Sequence, residues 1–481
     1  MTGRLGPRDR VAVLLGTLAG EAARRLGRGG GTALPGLVAT SVAPGVTRQL
    51  ARLPDAGSVV VTGTNGKTTT AHLLAGIAVA AGYEPIANRS GSNLERGIVS
   101  AYLDAHDDGG EGGTPRLGVI EVDEAALPGL LPVLRPRAAL FLNLFRDQLD
   151  RYGEVDSVAE GWREMLVGDG SGLTLVLNAD DPPIAQLTET GRGEVVTFGI
   201  EDRGVAIEGD EHASDARFCE CGAAFRYDAV FLGHAGLWRC DGCDRARPAP
   251  DVAAHEVHVG DGGSTFTLDV AGERVEVELP FEGLYTVYNA LGAAAAAHAL
   301  GIEGGVIASA LADAAPAFGR QEAFQLDGRD VRMWLAKNPA GLNAVLRTLA
   351  PPPVTTDDEE PPAGLHLMAL LNDGIQDGRD VSWIYDADLE LLAGRVESLV
   401  ASGGRAADLA LRCDLAGLQV DVVQPQVGVA LARAVQLVPQ GGRLDIVATY
   451  TAMIEMRELL AEWTGIAPYW SAPPTAGRGR A

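Results

Sequence analysis

Residues 58–70 of the chain read Ser-Val-Val-Val-Thr-Gly-Thr-Asn-Gly-Lys-Thr-Thr-Thr, and this stretch decides the fold. Its β-branched run, 59–62, predicts a buried strand, and the apolar spacing of Leu73, Leu74 and Ile77 predicts a helix after it. Between them lies a loop with two glycines, a lysine and a threonine. Such a loop binds phosphate, because its backbone N–H groups and the positive end of the helix face the anion. The stretch therefore predicts a nucleotide-binding site.

The residues of the predicted phosphate loop are Gly63, Thr64, Asn65, Gly66, Lys67, Thr68 and Thr69. We expect Lys67 to neutralise the charge of the β- and γ-phosphates and the Thr68 hydroxyl to hold Mg²⁺. The general template has a glycine five residues before the lysine, where this chain has Thr62, and the first glycine stands one residue later. The alternative interpretation is a plain glycine turn between a strand and a helix.

Composition narrows the function classes. The 481 residues hold 64 acidic and 39 Lys and Arg side chains, a net charge of −25, which argues against a sequence-independent grip on nucleic acid. Only two of the cations are lysines, Lys67 and Lys337, so we expect an ammonium group to be specifically required at these positions; the alternative, chance placement, fits Lys337 better than Lys67. The chain has no apolar run of the roughly 18 residues that cross a bilayer, which argues against an integral membrane protein.

The periodicity predicts an α/β protein in three parts. An N-terminal helical preface (1–56) contains an amphipathic helix near residues 11–26 and a glycine-rich loop. A central part (57–322) and a C-terminal, Rossmann-like part (323–481) both alternate apolar strands with helices, which predicts mostly parallel sheets with ligands beyond the carboxyl ends of their strands. The predicted strands are 59–62, 117–122, 138–143, 173–178 and 195–200, and then 331–336, 365–371, 396–400, 420–423 and 444–448.

Carboxylates gather where these strands end. For Glu121 we favour Mg²⁺ coordination, directly or through water, over helix capping. For Asp180 and Asp181 we favour capping and turn formation.

Four of the five cysteines form one cluster inside the central part. Cys219 and Cys221 precede Cys240 and Cys243, a spacing that approximates the two knuckles of a zinc ribbon inserted at 212–250. Four thiolates close a zinc tetrahedron and leave no position for a substrate, so a structural role is expected. The first knuckle is C-x-C rather than C-x-x-C, and the alternative is four free thiols. The fifth, Cys413, fits a packed helix residue better than a nucleophile.

Together these motifs resemble the ATP-binding central domain of the Mur ligases, on the matching segments 63–69, 143–152, 178–182, 288–294 and 316–322 and the strand end at Glu121. Mur ligases phosphorylate a carboxylate with ATP and let an amine attack the acyl phosphate. The resemblance implies that Asn289 and Arg320 lie at the nucleotide; for Arg320 the alternative is a solvated hinge. Two departures are Gln148, where amino-acid-adding members have a metal-binding histidine, and the lack of any lysine between Lys67 and Lys337. There is also no room for the usual N-terminal domain that holds a UDP-linked substrate.

The C-terminal part carries two segments rich in reactive side chains. Lys337 follows a predicted strand, and we expect it to reach the nucleotide phosphate or the acyl phosphate when the parts close. Residues 371–386 pack several acids, an arginine and two aromatic side chains into one loop.

With the zinc ribbon, these segments resemble more closely the MurT family, the ligase-like subunits of lipid II isoglutaminyl synthases. That resemblance implies ATP-dependent amidation of the α-carboxyl of D-glutamate in the lipid II stem peptide, in the cytoplasm and peripheral to the inner face of the membrane. It implies ammonia from a GatD-type glutaminase in a heterodimer, and a ligase aspartate that orients the partner's histidine. Asp377 and Asp380 are the candidates, and the alternative is a loop-stabilising network. Two other functions stay open: an amino-acid ligase like other Mur or folylpolyglutamate enzymes, and a zinc-ribbon scaffold switched by a nucleotide.

Overall fold

Two sheets, each with helices on both faces, organise the chain. The computed structural model describes residues 5–25, 33–88, 92–107, 113–147, 155–169, 172–191, 193–207, 215–316, 319–351 and 364–466. The predictions for Gln148, for the rest of the 148–152 motif and for residues 212–214 of the insertion lie outside the described residues.

The first sheet has nine strands, in the order β11-β10-β9-β6-β5-β4-β1-β3-β2. In this order, neighbouring strands from β2 to β9 run parallel, and β10 runs antiparallel to both β9 and β11. All five strands predicted for the central part are confirmed as β1, β3, β4, β5 and β6, whereas β2 and β9–β11 were not predicted. The strands up to the last of this sheet, including the separate hairpin β7–β8, are β1 (Ser58–Thr62), β2 (Glu84–Ala87), β3 (Arg116–Glu121), β4 (Ala138–Phe141), β5 (Thr174–Asn178), β6 (Val195–Ile200), β7 (Phe225–Leu232), β8 (Ala235–Cys240), β9 (Val252–Gly260), β10 (Gly263–Val270) and β11 (Glu273–Leu279).

Helices cover both faces of this sheet, so its central strand is apolar on both sides. Val59 and Val61 of β1 belong to the core under one helical layer, and Val60 between them belongs to the opposite core, because side chains alternate along a strand. Among the described residues, no helix combines the length and apolar composition needed to span a membrane. The helices are α1 (Pro7–Arg25), α2 (Leu34–Val42), α3 (Val46–Leu50), α4 (Lys67–Ala80), α5 (Glu95–Asp107), α6 (Leu127–Leu134), α7 (Val155–Asp169), α8 (Pro182–Ala185), α9 (Leu284–Ala299) and α10 (Gly304–Ala312).

The second sheet has six strands, in the order β12-β13-β17-β14-β15-β16, and all but the edge strand β12 run parallel. The five strands predicted for the C-terminal part are confirmed, and β12 is the addition. The division of the chain at residues 56 and 322 stays a prediction. The elements are β12 (Glu322–Leu326), β13 (Arg329–Leu335), β14 (Leu365–Leu370), β15 (Val396–Ser402), β16 (Val422–Gln424) and β17 (Arg443–Ala448), with α11 (Pro339–Leu349), α12 (Ala406–Leu415), α13 (Val427–Leu437) and α14 (Tyr450–Thr464).

Candidate functional site

The phosphate loop connects β1 to α4 and is held from two sides. Gly66 caps α4 with φ of 85°, and a Cβ at this position would overlap the side-chain oxygen of Asn289 on α9. On the other side, Asn143 beyond β4 accepts a hydrogen bond from the Asn65 backbone N–H at 2.8 Å and donates its own side-chain N–H to the Asn65 carbonyl at 3.1 Å. The loop is therefore fixed in shape by its neighbours, and position 66 admits only glycine.

Lys67 lies beneath this loop in a buried ion pair. Its Nζ donates to the Gly63 carbonyl at 2.5 Å, to the Thr64 carbonyl at 3.2 Å and to Glu124 Oε2 at 2.9 Å. Burial alone would lower the pKa of the Lys67 ammonium, but Glu124, Glu121 and neighbouring charge outweigh that effect and raise the pKa. The ammonium is therefore fully charged at neutral pH and is held at the phosphate loop.

Thr68 and Glu121 form a pair of oxygen ligands beside Lys67. The Thr68 hydroxyl donates to Glu121 Oε2 at 2.9 Å, and Glu121 is buried at the end of β3. A hydroxyl and a carboxylate are hard oxygen donors of the kind that Mg²⁺ prefers. The residues present therefore fit the predicted magnesium site.

The second sheet contributes residues to the same region through the turn between β13 and α11. Asn338 and Asn65 form a reciprocal amide pair, with N···O distances of 2.9 and 3.2 Å. Next to it, the Lys337 ammonium forms an ion pair with Asp147. Burial raises the pKa of the Asp147 carboxyl, although Lys337 acts in the opposite direction. These contacts join the phosphate loop to the second sheet.

A cavity of about 300 Å³ lies between the two sheets. Arg320 lies in its wall, where burial lowers the pKa of the guanidinium and the charge of Glu121 partly offsets that effect. Gly63 stands behind the wall, with its carbonyl bonded to Lys67. The other predicted nucleotide and catalytic residues that line the cavity are Thr64, Asn65, Gly66, Lys67, Thr68, Thr69, Glu121, Asn289 and Lys337.

The two loop aspartates do not line this cavity, and the structure separates them. Asp377 is buried and accepts hydrogen bonds from the backbone N–H and the hydroxyl of Thr451, and burial raises the pKa of its carboxyl. Asp380 is exposed, and the backbone N–H of Ser382 bonds to it at 2.9 Å and lowers its pKa. The loop-stabilising interpretation fits both residues, since Asp377 holds Thr451 and Asp380 accepts a local bond from Ser382, but of the two only Asp380 is exposed.

The four clustered cysteines converge at the base of the β7–β8 hairpin. Their Sγ atoms lie within 4.8 Å of one another, with 3.8 Å between Cys219 and Cys243 and 3.4 Å between Cys221 and Cys240. A tetrahedral zinc ion with Zn–S bonds of about 2.3 Å requires S···S distances of about 3.8 Å. The four Sγ atoms therefore lie close enough together to share one ion, and the donor set fits zinc.

Two interpretations of single residues can now be decided. Asp181 caps α8 as predicted, accepting from the Ile184 N–H at 3.2 Å. The capping prediction for Asp180 is wrong, because its buried carboxylate instead bonds to Arg247 and to the Tyr288 hydroxyl, both at 2.6 Å.

Four site residues received no role from the sequence: Glu124, Asn143, Asp147 and Asn338, of which Asn143 and Asp147 lie in the matching segment 143–152. Glu124 lies only three residues beyond Glu121 at the same strand exit, so its position was the available signal. Asn338 precedes Pro339 and caps α11, a pattern that predicts a helix start but no contact with the phosphate loop.

Comparisons with known proteins agree with this geometry. The chain matches the Mur ligase middle domain over residues 61–229 and the MurT ligase C-terminal family over residues 335–453. It is 32% identical over 420 residues to subunit MurT of the lipid II isoglutaminyl synthase (glutamine-hydrolyzing) of Staphylococcus aureus strain N315, which covers 86% of this chain and 90% of that protein. The same subunit of Streptococcus pneumoniae strain R6 is 31% identical over 457 residues, 93% of this chain and 96% of that protein.

A solved structure of MurF from Acinetobacter baumannii shares the fold, with a TM-score of 0.64 at 19% identity over 90% of this chain and 81% of that one. The likeness to the two MurT subunits extends over most of each chain. The protein therefore belongs to the MurT family and is an ATP-dependent ligase of the Mur ligase type.

Proposed function

We propose that the protein is the synthase subunit of a glutamine-hydrolysing lipid II isoglutaminyl synthase. In this role it amidates the α-carboxyl of D-glutamate in the stem peptide of lipid II, with ATP and with ammonia supplied by a GatD-type glutaminase subunit. The observation that carries the proposal is that both lysines of the chain line a single cavity beside the phosphate loop. Lys67 begins the helix after β1 of the first sheet, and Lys337 follows β13 of the second sheet. The names of the two relatives support the choice of acceptor and of nitrogen donor.

The chemistry has two steps. An oxygen of the substrate carboxylate attacks the γ-phosphorus of ATP, the bond to the β-phosphate oxygen breaks, and ADP leaves. The nitrogen of ammonia then attacks the acyl carbon of the acyl phosphate, inorganic phosphate leaves with the former carboxylate oxygen, and one proton passes from the nitrogen to that phosphate. Both steps develop negative charge on phosphate oxygens, and positively charged groups that are already in place stabilise it without reorganisation.

The residues of the cavity supply those charges. Lys67 is positioned by Glu124, and Lys337 is positioned by Asp147, so both ammonium groups are held at the cavity wall before any substrate arrives. Thr68 and Glu121 would hold Mg²⁺, which neutralises β- and γ-phosphate charge when bound. Arg320 adds a third cation to the wall.

The glutaminase is assigned to another chain on the basis of Cys413. A glutaminase of the usual kind needs a thiolate nucleophile. Outside the zinc cluster the sequence has only Cys413, which is buried in the core of the second sheet, where burial raises the pKa of its thiol to about 11. In the proposed heterodimer, the exposed Asp380 is the better candidate for orienting the partner's histidine.

The test measures amide formation by the complex with its glutaminase, on lipid II, with either glutamine or ammonium chloride as nitrogen source. We expect wild type to form the amide with both and Lys67→Ala to form it with neither, while zinc content and partner binding stay unchanged. Amidation at the wild-type rate by Lys67→Ala would refute the phosphate-loop assignment. A product that contains an added amino acid rather than an amide would favour the amino-acid ligase instead.

A further inference from the structure

Helix α1 presents its apolar face outward. The exposed positions Pro7, Val11, Leu14, Leu15, Leu18 and Ala22, which we call the α1 stripe, follow helical spacing and include no charged residue. Leu14 and Leu18 are 59% and 50% exposed. An ordinary surface helix would bury this side and expose its polar side.

The inward face of α1 explains why the leucines do not turn inward. It carries the small residues Ala12, Gly16 and Gly20, which are buried. A Cβ at Gly16 would lie 2.8 Å from the Leu103 side chain and 3.2 Å from Ala39, so α1 lies close against α2 and α5. The contact of α1 with α2 and α5 has no space for leucine side chains at these positions. The leucines of the stripe therefore point outward because the inward face of α1 is packed too closely to hold them.

The N-terminal segment that carries the α1 stripe is basic, in contrast to the rest of the chain. Residues 1–52 contain eight arginines and two acids, within a protein whose net charge is −25. By helical spacing, Arg8 and Arg10 stand on opposite borders of the stripe and both are exposed, while the part-buried Glu21 lies on the Arg10 border. An apolar face bordered by cations is complementary to an anionic bilayer surface, where leucines enter the acyl boundary and arginines contact headgroups.

The helical layer that carries the stripe also reaches the cavity. On α2, Leu34 and Leu37 are exposed, and a Cβ on Gly36 between them would overlap the carbonyl oxygen of Arg96 in the first turn of α5. The two residues that precede α5, Asn93 and Leu94, line the cavity. Helix α2, which carries these exposed apolar residues, therefore packs against the start of α5, and the residues just before α5 form part of the cavity wall.

We propose that the α1 stripe docks the protein onto the surface of an anionic lipid bilayer, with α1 lying in the membrane plane. This inference deepens the proposed function and rests on it for the identity of the substrate, since a substrate with a lipid tail is presented at such a surface. Binding to the bilayer itself depends only on the stripe and its arginines.

The test is co-sedimentation of the full chain with vesicles of equal parts phosphatidylcholine and phosphatidylglycerol, and with vesicles of phosphatidylcholine alone. We expect wild type to bind the mixed vesicles, more weakly as salt rises. Leu14→Ser with Leu18→Ser removes two leucines from the acyl boundary and should weaken the partition constant by about tenfold or more. The matched control is Leu411→Ser with Leu415→Ser on α12, a pair with the same spacing and exposures of 53% and 64%, which should bind as wild type does.

The proposal is overturned if wild type does not bind the mixed vesicles, or if both double variants lose binding equally. It is also overturned if the protein binds no vesicles and Leu14→Ser with Leu18→Ser instead dissociates a self-associated form or a complex with the glutaminase. Amidation of a soluble, lipid-free stem-peptide substrate separates the two hypotheses. The stripe variant should amidate this substrate at the wild-type rate and lose rate only on vesicle-embedded lipid II. If wild type amidates neither substrate, the proposed function fails while the vesicle result still stands.

Discussion

The buried pair of Lys67 and Glu124 allows a sharp prediction for stability. The pair is 2.9 Å long, and its side chains are only 7% and 6% exposed. Glu124→Gln keeps the shape but leaves a buried ammonium without its nearest carboxylate, a change that generally costs about 3–5 kcal/mol. Because Gly63 and Thr64 still accept hydrogen bonds from the ammonium, we expect a loss of about 2 kcal/mol. In a domain of about 250 residues, 1 kcal/mol corresponds to about 2–4 °C in melting temperature. We therefore expect the melting temperature of the Glu124→Gln variant to fall by about 4–8 °C.

The effect should depend on pH in a defined direction. Burial alone would raise the pKa of the Glu124 carboxyl, but Lys67 and Lys337 outweigh burial and lower it below the usual 4.5. A carboxylate with a lowered pKa in the folded state stabilises the protein above its unfolded pKa, and this stabilisation disappears as pH falls through the folded value. The difference between wild type and Glu124→Gln should therefore be full at neutral pH and shrink below pH 4.5.

Scanning calorimetry of the full chain measures both effects. Glu164→Gln, an exposed substitution on α7, is the control and should melt as wild type does. Lys67→Met combined with Glu124→Gln removes both charges and should melt above the Glu124→Gln single variant, since no unpaired buried charge remains. The reasoning is refuted if the single variant melts with wild type at neutral pH, or if the double variant is less stable than the single one.

Three further predictions concern the other parts of the site. Lys337→Met should lower the amidation rate by about tenfold or more, because the second sheet then places no ammonium in the cavity; an unchanged rate would exclude Lys337 from the reaction. Cys221→Ser should reduce bound zinc below one equivalent per chain and lower the melting temperature, as metal analysis and calorimetry will show, whereas full zinc retention would contradict a four-thiolate site. Asp380→Asn should slow amidation with glutamine but not with ammonium chloride, and equal losses with both nitrogen sources would exclude an orienting role for Asp380. Asp377→Asn should chiefly lower the melting temperature, because it weakens the bonds to Thr451.

The parallel strands and the phosphate loop were predictable because their signals are local. A strand buried on both faces is a continuous apolar run, as in β1, and the glycines and Lys67 that follow it mark a phosphate loop within a dozen residues. The edge strands were not predictable in the same way. β10, next to the edge strand β11, alternates buried side chains such as Phe266 and Leu268 with less buried ones, so its signal is a period-2 pattern rather than a continuous apolar run, and its register comes from β9 and β11.

The missed site residues depend on contacts between distant parts of the chain. Glu121 bonds to Thr68 and Glu124 bonds to Lys67. No local sequence pattern predicts this choice of partners, because it depends on how the chain turns after β3. The separation of Asp377 from Asp380 likewise depends on Thr451, which lies on α14. Local sequence thus predicted the types of residue at the site, and the tertiary structure decided their partners.

The amide pair between Asn65 and Asn338 also limits how the sequence can change. Each side chain donates one hydrogen bond to the other and accepts one in return, across a separation of 273 residues. An aspartate at either position would place two oxygens against each other, and an aliphatic residue would remove both bonds of the pair, leaving Asn338 the bond that it accepts from the Gly341 N–H. Acceptable replacements therefore arise as joint changes at both positions, so the loop that holds phosphate and the turn that presents Lys337 are expected to co-vary in evolution.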